Sequence, residues 1–145
     1  MAVLVDTNVL LRLAQPHHPS APLAARALRV LRAGNESLHI TQQNLVEFWA
    51  VATRPSDANG LGLTTEQAAA EVDALKRLFV LLPELPLQDA WERLVADYRV
   101  SGKNVHDARL VAAMVAHGIE SILTFNPQDF LRYEEIRVLD VTKIS

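Results

Sequence analysis

Ala2-Val3-Leu4-Val5-Asp6-Thr7-Asn8-Val9-Leu10 carries four apolar residues straight into a carboxylate and then into a helix start. A run that short and that apolar reads as a buried strand, the kind that lies inside a parallel sheet. Asp6 closes it. Asp-Thr-Asn is also a good helix N-cap sequence, so Thr7–Leu13 is predicted to be a helix with Val9, Leu10 and Leu13 on one side. Strand, acid, helix is therefore the first unit of the chain.

Working outward, the same alternation continues. Leu23–Ala33 reads as a helix stopped by Gly34, Leu38–Thr41 as a strand and Gln42–Thr53 as a helix. Thr64-Thr65-Glu66-Gln67 opens another helix in capping-box style, reaching about Leu78. Phe79–Leu82 is a candidate strand and Leu87–Arg99 a helix. A last helix starts at Asn104 or Val105 and ends at Gly118. Ile119–Thr124 and Ile136–Val141 read as strands, while His17–Pro22 and Arg54–Leu63 carry the prolines and glycines of loops. Strands alternating with helices predict an α/β fold with a mainly parallel sheet covered on both faces. No repeat, low-complexity tract or boundary divides the chain, so residues 1–145 are expected to form one domain.

Half of the 145 residues are hydrophobic and 21% are charged, a balance that favours a folded domain over a disordered one. The chain has no cysteine, which excludes disulfides and thiolate metal sites and suits a reducing cytoplasm. No apolar run approaches the ~20 residues of a membrane span. The opening lacks a basic segment followed by an apolar one, so no leader peptide is expected. A cytoplasmic location without a membrane partner follows as the expectation. The net charge of −3 argues against a broad basic footprint for nucleic acid. An acidic pocket neutralised by cations, with local arginines on the phosphates, escapes that objection.

Topology gathers the acids. In an open α/β sheet the ligand crevice lies outside the carboxyl ends of the strands, where the N-termini of the crossover helices also sit. Asp6 ends the first strand. Glu47 lies in the first half of the helix after the second. Asp107 is in the first turn of its helix, and Asn126 and Asp129 follow the strand ending at Thr124. Each has a local alternative. Asp6 and Asp129 fit helix caps, Asp107 fits an Asn104–Asp107 capping box, and Glu47 fits a solvent-facing stripe with Gln43 and Asn44. Asp107 is the most informative, since it shares a helix face with Leu110, Val111 and Met114, where an unpaired carboxylate is costly.

Carboxylates crowded into one pocket raise one another's pKa values, and a hard divalent cation with oxygen ligands relieves that repulsion. Mg²⁺ is the expected ion, with Mn²⁺ as a substitute. Such an ion activates water and stabilises the leaving oxygen of a phosphodiester. No His-rich spacing points to zinc.

The ordered set Val3-Leu4-Val5-Asp6-Thr7-Asn8-Val9-Leu10-Leu11, Thr41…Asn44…Glu47, His106-Asp107-Ala108-Arg109-Leu110-Val111-Ala112 and Leu123-Thr124-Phe125-Asn126-Pro127-Gln128-Asp129-Phe130 resembles the PIN-domain family. Within it, the set is most similar to the VapC-type toxins of toxin–antitoxin pairs. The resemblance implies a three-layer α/β/α sandwich and a metal-dependent endoribonuclease that hydrolyses RNA phosphodiesters, leaving a 5′-phosphate and a 3′-hydroxyl. It implies metal ligation by Asp6, Asp107 and Glu47, with Thr124 as the polar residue at the strand end. It also implies a small antitoxin partner and a homodimer. The chain departs from the family at Asn126, where an acid is frequent, and Asp129 is the candidate replacement. Thr7 and Asn8 are expected to orient Asp6. Arg12, Arg54, Lys103 and Arg109 are candidate RNA phosphate contacts or, alternatively, solvated surface charges. Competing expectations are a non-toxin PIN nuclease of RNA processing and a catalytically weak, partner-binding PIN fold. A haloacid-dehalogenase-type phosphatase would need a second acid where Asn8 stands.

Overall fold

The computed structural model describes residues 1–145. β1 (Ala2–Val5), β2 (Ser37–Ile40), β3 (Val80–Leu81), β4 (Ser121–Thr124) and β5 (Arg137–Asp140) form one sheet in the order β3-β2-β1-β4-β5, with every neighbouring pair parallel. Six α-helices connect them: α1 (Thr7–Leu13), α2 (Ala21–Ala33), α3 (Gln42–Thr53), α4 (Thr65–Leu78), α5 (Gln88–Asp97) and α6 (Val105–His117). This is the three-layer α/β/α fold expected from the strand–helix alternation. No helix is long and apolar enough to cross a membrane.

The two-residue side-chain period of a strand divides the core into two. Val3 and Val5 face one side with Leu38, Ile40 and Leu123, where Val9, Leu10, Leu28 and Phe48 cover them. Leu4 and Ile122 face the other, covered by Leu94 of α5 and by Leu110, Val111 and Met114 of α6. α1 to α4 thus pack on one face and α5 and α6 on the other. β1 is central and buried on both sides, which is why four consecutive apolar residues suit it.

Element ends depart from expectation where a neighbouring helix claims the backbone. Phe79 is not in β3, because its N–H closes α4 on the Leu75 carbonyl at 3.0 Å. Ile119 is not in β4, because its N–H returns to Met114 O at 2.8 Å after Gly118 turns left-handed at φ 69°. α2 starts two residues earlier than expected, with Pro22 in its first turn, where the missing N–H costs nothing. α5 is shorter than expected at both ends, and Arg99 beyond it takes a left-handed φ of 53°. The Arg54–Leu63 segment includes one short 3₁₀ turn, Ser56–Ala58.

Candidate active site

The chain leaves β1 toward β2 and β3 in one direction and places β4 and β5 on the other. The crevice at the carboxyl ends of β1 and β4 is therefore the topological switch point, where ligands of open α/β sheets bind. Asp6 stands at the end of β1 and Thr124 at the end of β4.

Asp6 is buried and caps α1: its Oδ1 accepts from the Thr7 N–H at 2.8 Å. Its Oδ2 accepts from Thr124 Oγ1 at 2.7 Å. Thr124 Oγ1 in turn accepts from Asn8 Nδ2 at 3.3 Å and from the Asn126 N–H at 3.0 Å. With both lone pairs used, the hydroxyl proton has one remaining direction, toward Asp6. Asn8, expected to orient Asp6, reaches it through Thr124, and its Oδ1 accepts from the Phe125 N–H at 3.3 Å.

Thr7 links the second acid. Its hydroxyl donates to Glu47 Oε1 at 2.7 Å and accepts from Asn44 Nδ2 at 3.0 Å. Asn44 is fully buried, and its Oδ1 accepts from the Thr41 N–H at 2.8 Å and from Thr41 Oγ1 at 2.9 Å. The other Glu47 oxygen accepts from Gln43 Nε2 at 3.0 Å. The polar stripe of α3 thus faces the pocket. Gln43 is thus a partner of the site as well as a member of that stripe. Its four-residue spacing from Glu47 was the available signal for a partner.

Asp107 lies half-buried in the first turn of α6, and Leu110, Val111 and Met114 beside it are fully buried. Asn104 makes no side-chain capping bond, so the capping-box alternative for Asp107 is not realised. Burial is the main cause that lifts the Asp107 carboxyl to about 7, and the charges of Asp6, Asp129 and Glu47 add to it while Lys103 opposes it. Burial likewise leads for Asp6, pushed up to about 6; Glu47 and Asp129 raise it further, while bonds from Thr124 and Thr7 restrain the rise. Asp129 therefore acts on both acids. Asn126 is exposed, and its side chain makes no capping bond to the Pro127–Asp129 turn.

No three of the acidic or histidine side chains converge closely enough to enclose an ion. The donor set is oxygen only, and a buried Asp6 beside a half-buried Asp107 is a repelling pair that a cation relieves. The residues fit a hard divalent ion on those grounds.

The basic residues are dispersed. Lys103 is exposed and within electrostatic reach of Asp107. Arg12 lies in the last turn of α1 with its Nη1 donating to Gln15 Oε1 at 2.7 Å, and Arg54 is exposed beyond the far end of α3. Arg109 is engaged within the protein: Nη1 donates to Gln43 Oε1 at 2.9 Å and Nη2 pairs with Glu84 Oε1 at 3.0 Å. A cavity of about 540 Å³ between Pro127 and Ile144 beside β5 is lined by none of the site acids.

Fold and site together define a parallel α/β protein with an acidic pocket at its switch point. The chain belongs to the PIN-domain family, whose model matches residues 3–136. Among solved structures, it is similar to VapBC2 from Rickettsia felis bound to a promoter DNA fragment, at 16% identity and TM-score 0.73 over 97% of this chain and 98% of that one. It is also similar to VapBC-1 from nontypeable Haemophilus influenzae, at 18% identity and TM-score 0.68 over 99% and 100%. A third, the sarcin–ricin loop cleaving toxin VapC20 of Mycobacterium tuberculosis, matches at 21% identity and TM-score 0.55 over 83% and 86%. These likenesses bear on the fold, which the chain shares with those proteins. Among curated proteins, no sequence matches the chain significantly.

Proposed function

We propose that this chain, acting as one domain over residues 1–145, is an Mg²⁺-dependent endoribonuclease and the toxin of a toxin–antitoxin pair. The observation that carries the reading is the placement of Asp6 at the end of β1 and of Asp107 in the first turn of α6, near enough that the charge of Asp6 adds to the burial that raises Asp107. Acids held that way without a cation are a liability to the fold, and phosphodiester hydrolysis is the chemistry that uses them. A bound divalent ion supplies there the charge that lowers the pKa of water and stabilises the leaving oxygen. Asp6 and Asp107 would hold the ion. Thr124 aims the Asp6 carboxylate by its single available donor direction. Glu47, held on both oxygens by Thr7 and Gln43, would orient the ion or the attacking water. Asp129 supplies the fourth negative charge in place of Asn126. Lys103 is the basic residue best placed for an RNA phosphate.

An antitoxin partner is supported by the likeness to solved VapBC structures. A groove of about 470 Å³ lined only by Leu45, Val46, Trp49, Ala50 and Val72 leaves apolar surface uncovered between α3 and α4. Surface of that kind marks interaction sites; it is available to the antitoxin or to a second copy of the chain in a homodimer.

Calorimetry tests the metal half of the reading on the protein alone. Mg²⁺ is expected to bind the wild type and to lose at least about tenfold in affinity in Asp6→Asn, since even outer partners of metal ligands are worth ~10–100-fold. Equal affinity in both proteins would remove Asp6 from the site.

A further inference from the structure

Gln43 joins groups that the mechanism needs but the local sequence keeps apart. Its Nε2 donates to Glu47 Oε2 at 3.0 Å and to the backbone carbonyl of His106, the residue before Asp107, at 2.8 Å. Its Oε1 accepts from Arg109 Nη1 at 2.9 Å, and Arg109 Nη2 lies 3.0 Å from Glu84 Oε1. A primary amide can donate only from nitrogen and accept only at oxygen. Two acceptors on one side and a guanidinium on the other leave Gln43 a single orientation. The Arg109–Glu84 pair is exposed, at 39% and 46%, so its worth to stability is small. Its structural consequence is directional: it holds Arg109 where it orients the amide.

We propose that Gln43, alongside Thr7, is a positioning residue for Glu47, and the one that ties its carboxylate to the backbone of α6 beside Asp107. Arg109 acts through Gln43 and makes no contact with RNA phosphate. The proposal rests on the reading of the acidic pocket as a nuclease centre. It also replaces the phosphate role expected of Arg109 from sequence.

Gln43→Met keeps the side-chain length and removes every hydrogen bond; Arg109→Met and the double variant complete a cycle. RNA cleavage, its salt dependence and the affinity for Mg²⁺ alone are measured for all four proteins, with thermal midpoints monitoring the fold. Gln43→Met is expected to lower kcat and Mg²⁺ affinity about tenfold with KM for RNA unchanged. Arg109→Met is expected to lower the same two quantities less, and the double variant to be no worse than Gln43→Met. If Arg109→Met instead raises KM, reduces the salt slope by about one and adds to Gln43→Met, Arg109 is a phosphate contact and its relay role is overturned. A wild type that binds Mg²⁺ and cleaves RNA beside an unaffected Gln43→Met overturns the positioning role alone. A wild type that does neither overturns the nuclease reading and this proposal with it.

Discussion

At the scale of single residues, Asp107 carries a charge on a helix face that is otherwise apolar. In the folded chain it titrates at about 7 and Asp6 at about 6, both above the ordinary carboxylate value of 3.8. A carboxyl raised on folding contributes no penalty below pH ~4, where it is protonated in both states. The penalty grows as pH rises and is complete above about 7. The metal-free protein is therefore expected to be more stable at pH 5 than at pH 8. Asp107→Asn removes part of that penalty at pH 8, and because Asp107 is only half-buried, solvent screening limits the gain to about 1 kcal/mol. Thermal melts without metal should show a midpoint about 2–4 °C higher at pH 8, with the difference vanishing at pH 4. A variant less stable than wild type at pH 8 would contradict the electrostatic account. Asp107 could be singled out from sequence because helical periodicity places it beside Leu110 and Met114. Gln43 and Asn44 were legible only for their local bonds, to Glu47 and Thr41; their bonds to His106, Arg109 and Thr7 join segments far apart in sequence, and no local pattern announces those.

Among the elements, α3 is the one whose start matters most to the site. Thr41 and Asn44 form a reciprocal cap: the Asn44 N–H donates to Thr41 Oγ1 at 3.0 Å and the Thr41 N–H donates to Asn44 Oδ1 at 2.8 Å. The same Asn44 side chain then reaches Thr7, which reaches Glu47. Thr41→Ala removes the cap and one restraint on Asn44. It should cost about 1–2 kcal/mol, read as a lower denaturant midpoint at unchanged slope. Cleavage should fall with it, since Glu47 is held through that chain of bonds; a stability loss with full activity would separate the cap from the site. The helices were readable from sequence because their apolar periods and caps are local. Strand ends were less so. Phe79 and Ile119 are apolar and strand-like, but each gives its N–H to the preceding helix, a competition that composition does not encode.

For the whole molecule, strand order is what turns scattered acids into one pocket. Alternating strands and helices made the parallel α/β class readable, and short apolar strands made the sheet's burial readable. The order β3-β2-β1-β4-β5 is set by which faces pack across the sheet, so the switch point could be placed only as the edge where such sheets bind ligands. The structure puts Asp6 and Thr124 on either side of it, joined by a 2.7 Å hydrogen bond. The acidic pocket as a metal-dependent ribonuclease centre is tested most directly by one assay. A defined single-stranded RNA is incubated with wild type, Asp6→Asn and Asp107→Asn, each in Mg²⁺ and in excess chelator. Cleavage to 5′-phosphate and 3′-hydroxyl ends is expected from the wild type in Mg²⁺ only, with a loss beyond ~100-fold in either variant, more than groups that merely support a metal ligand produce. Cleavage that persists in chelator, or in both asparagine variants, would contradict it.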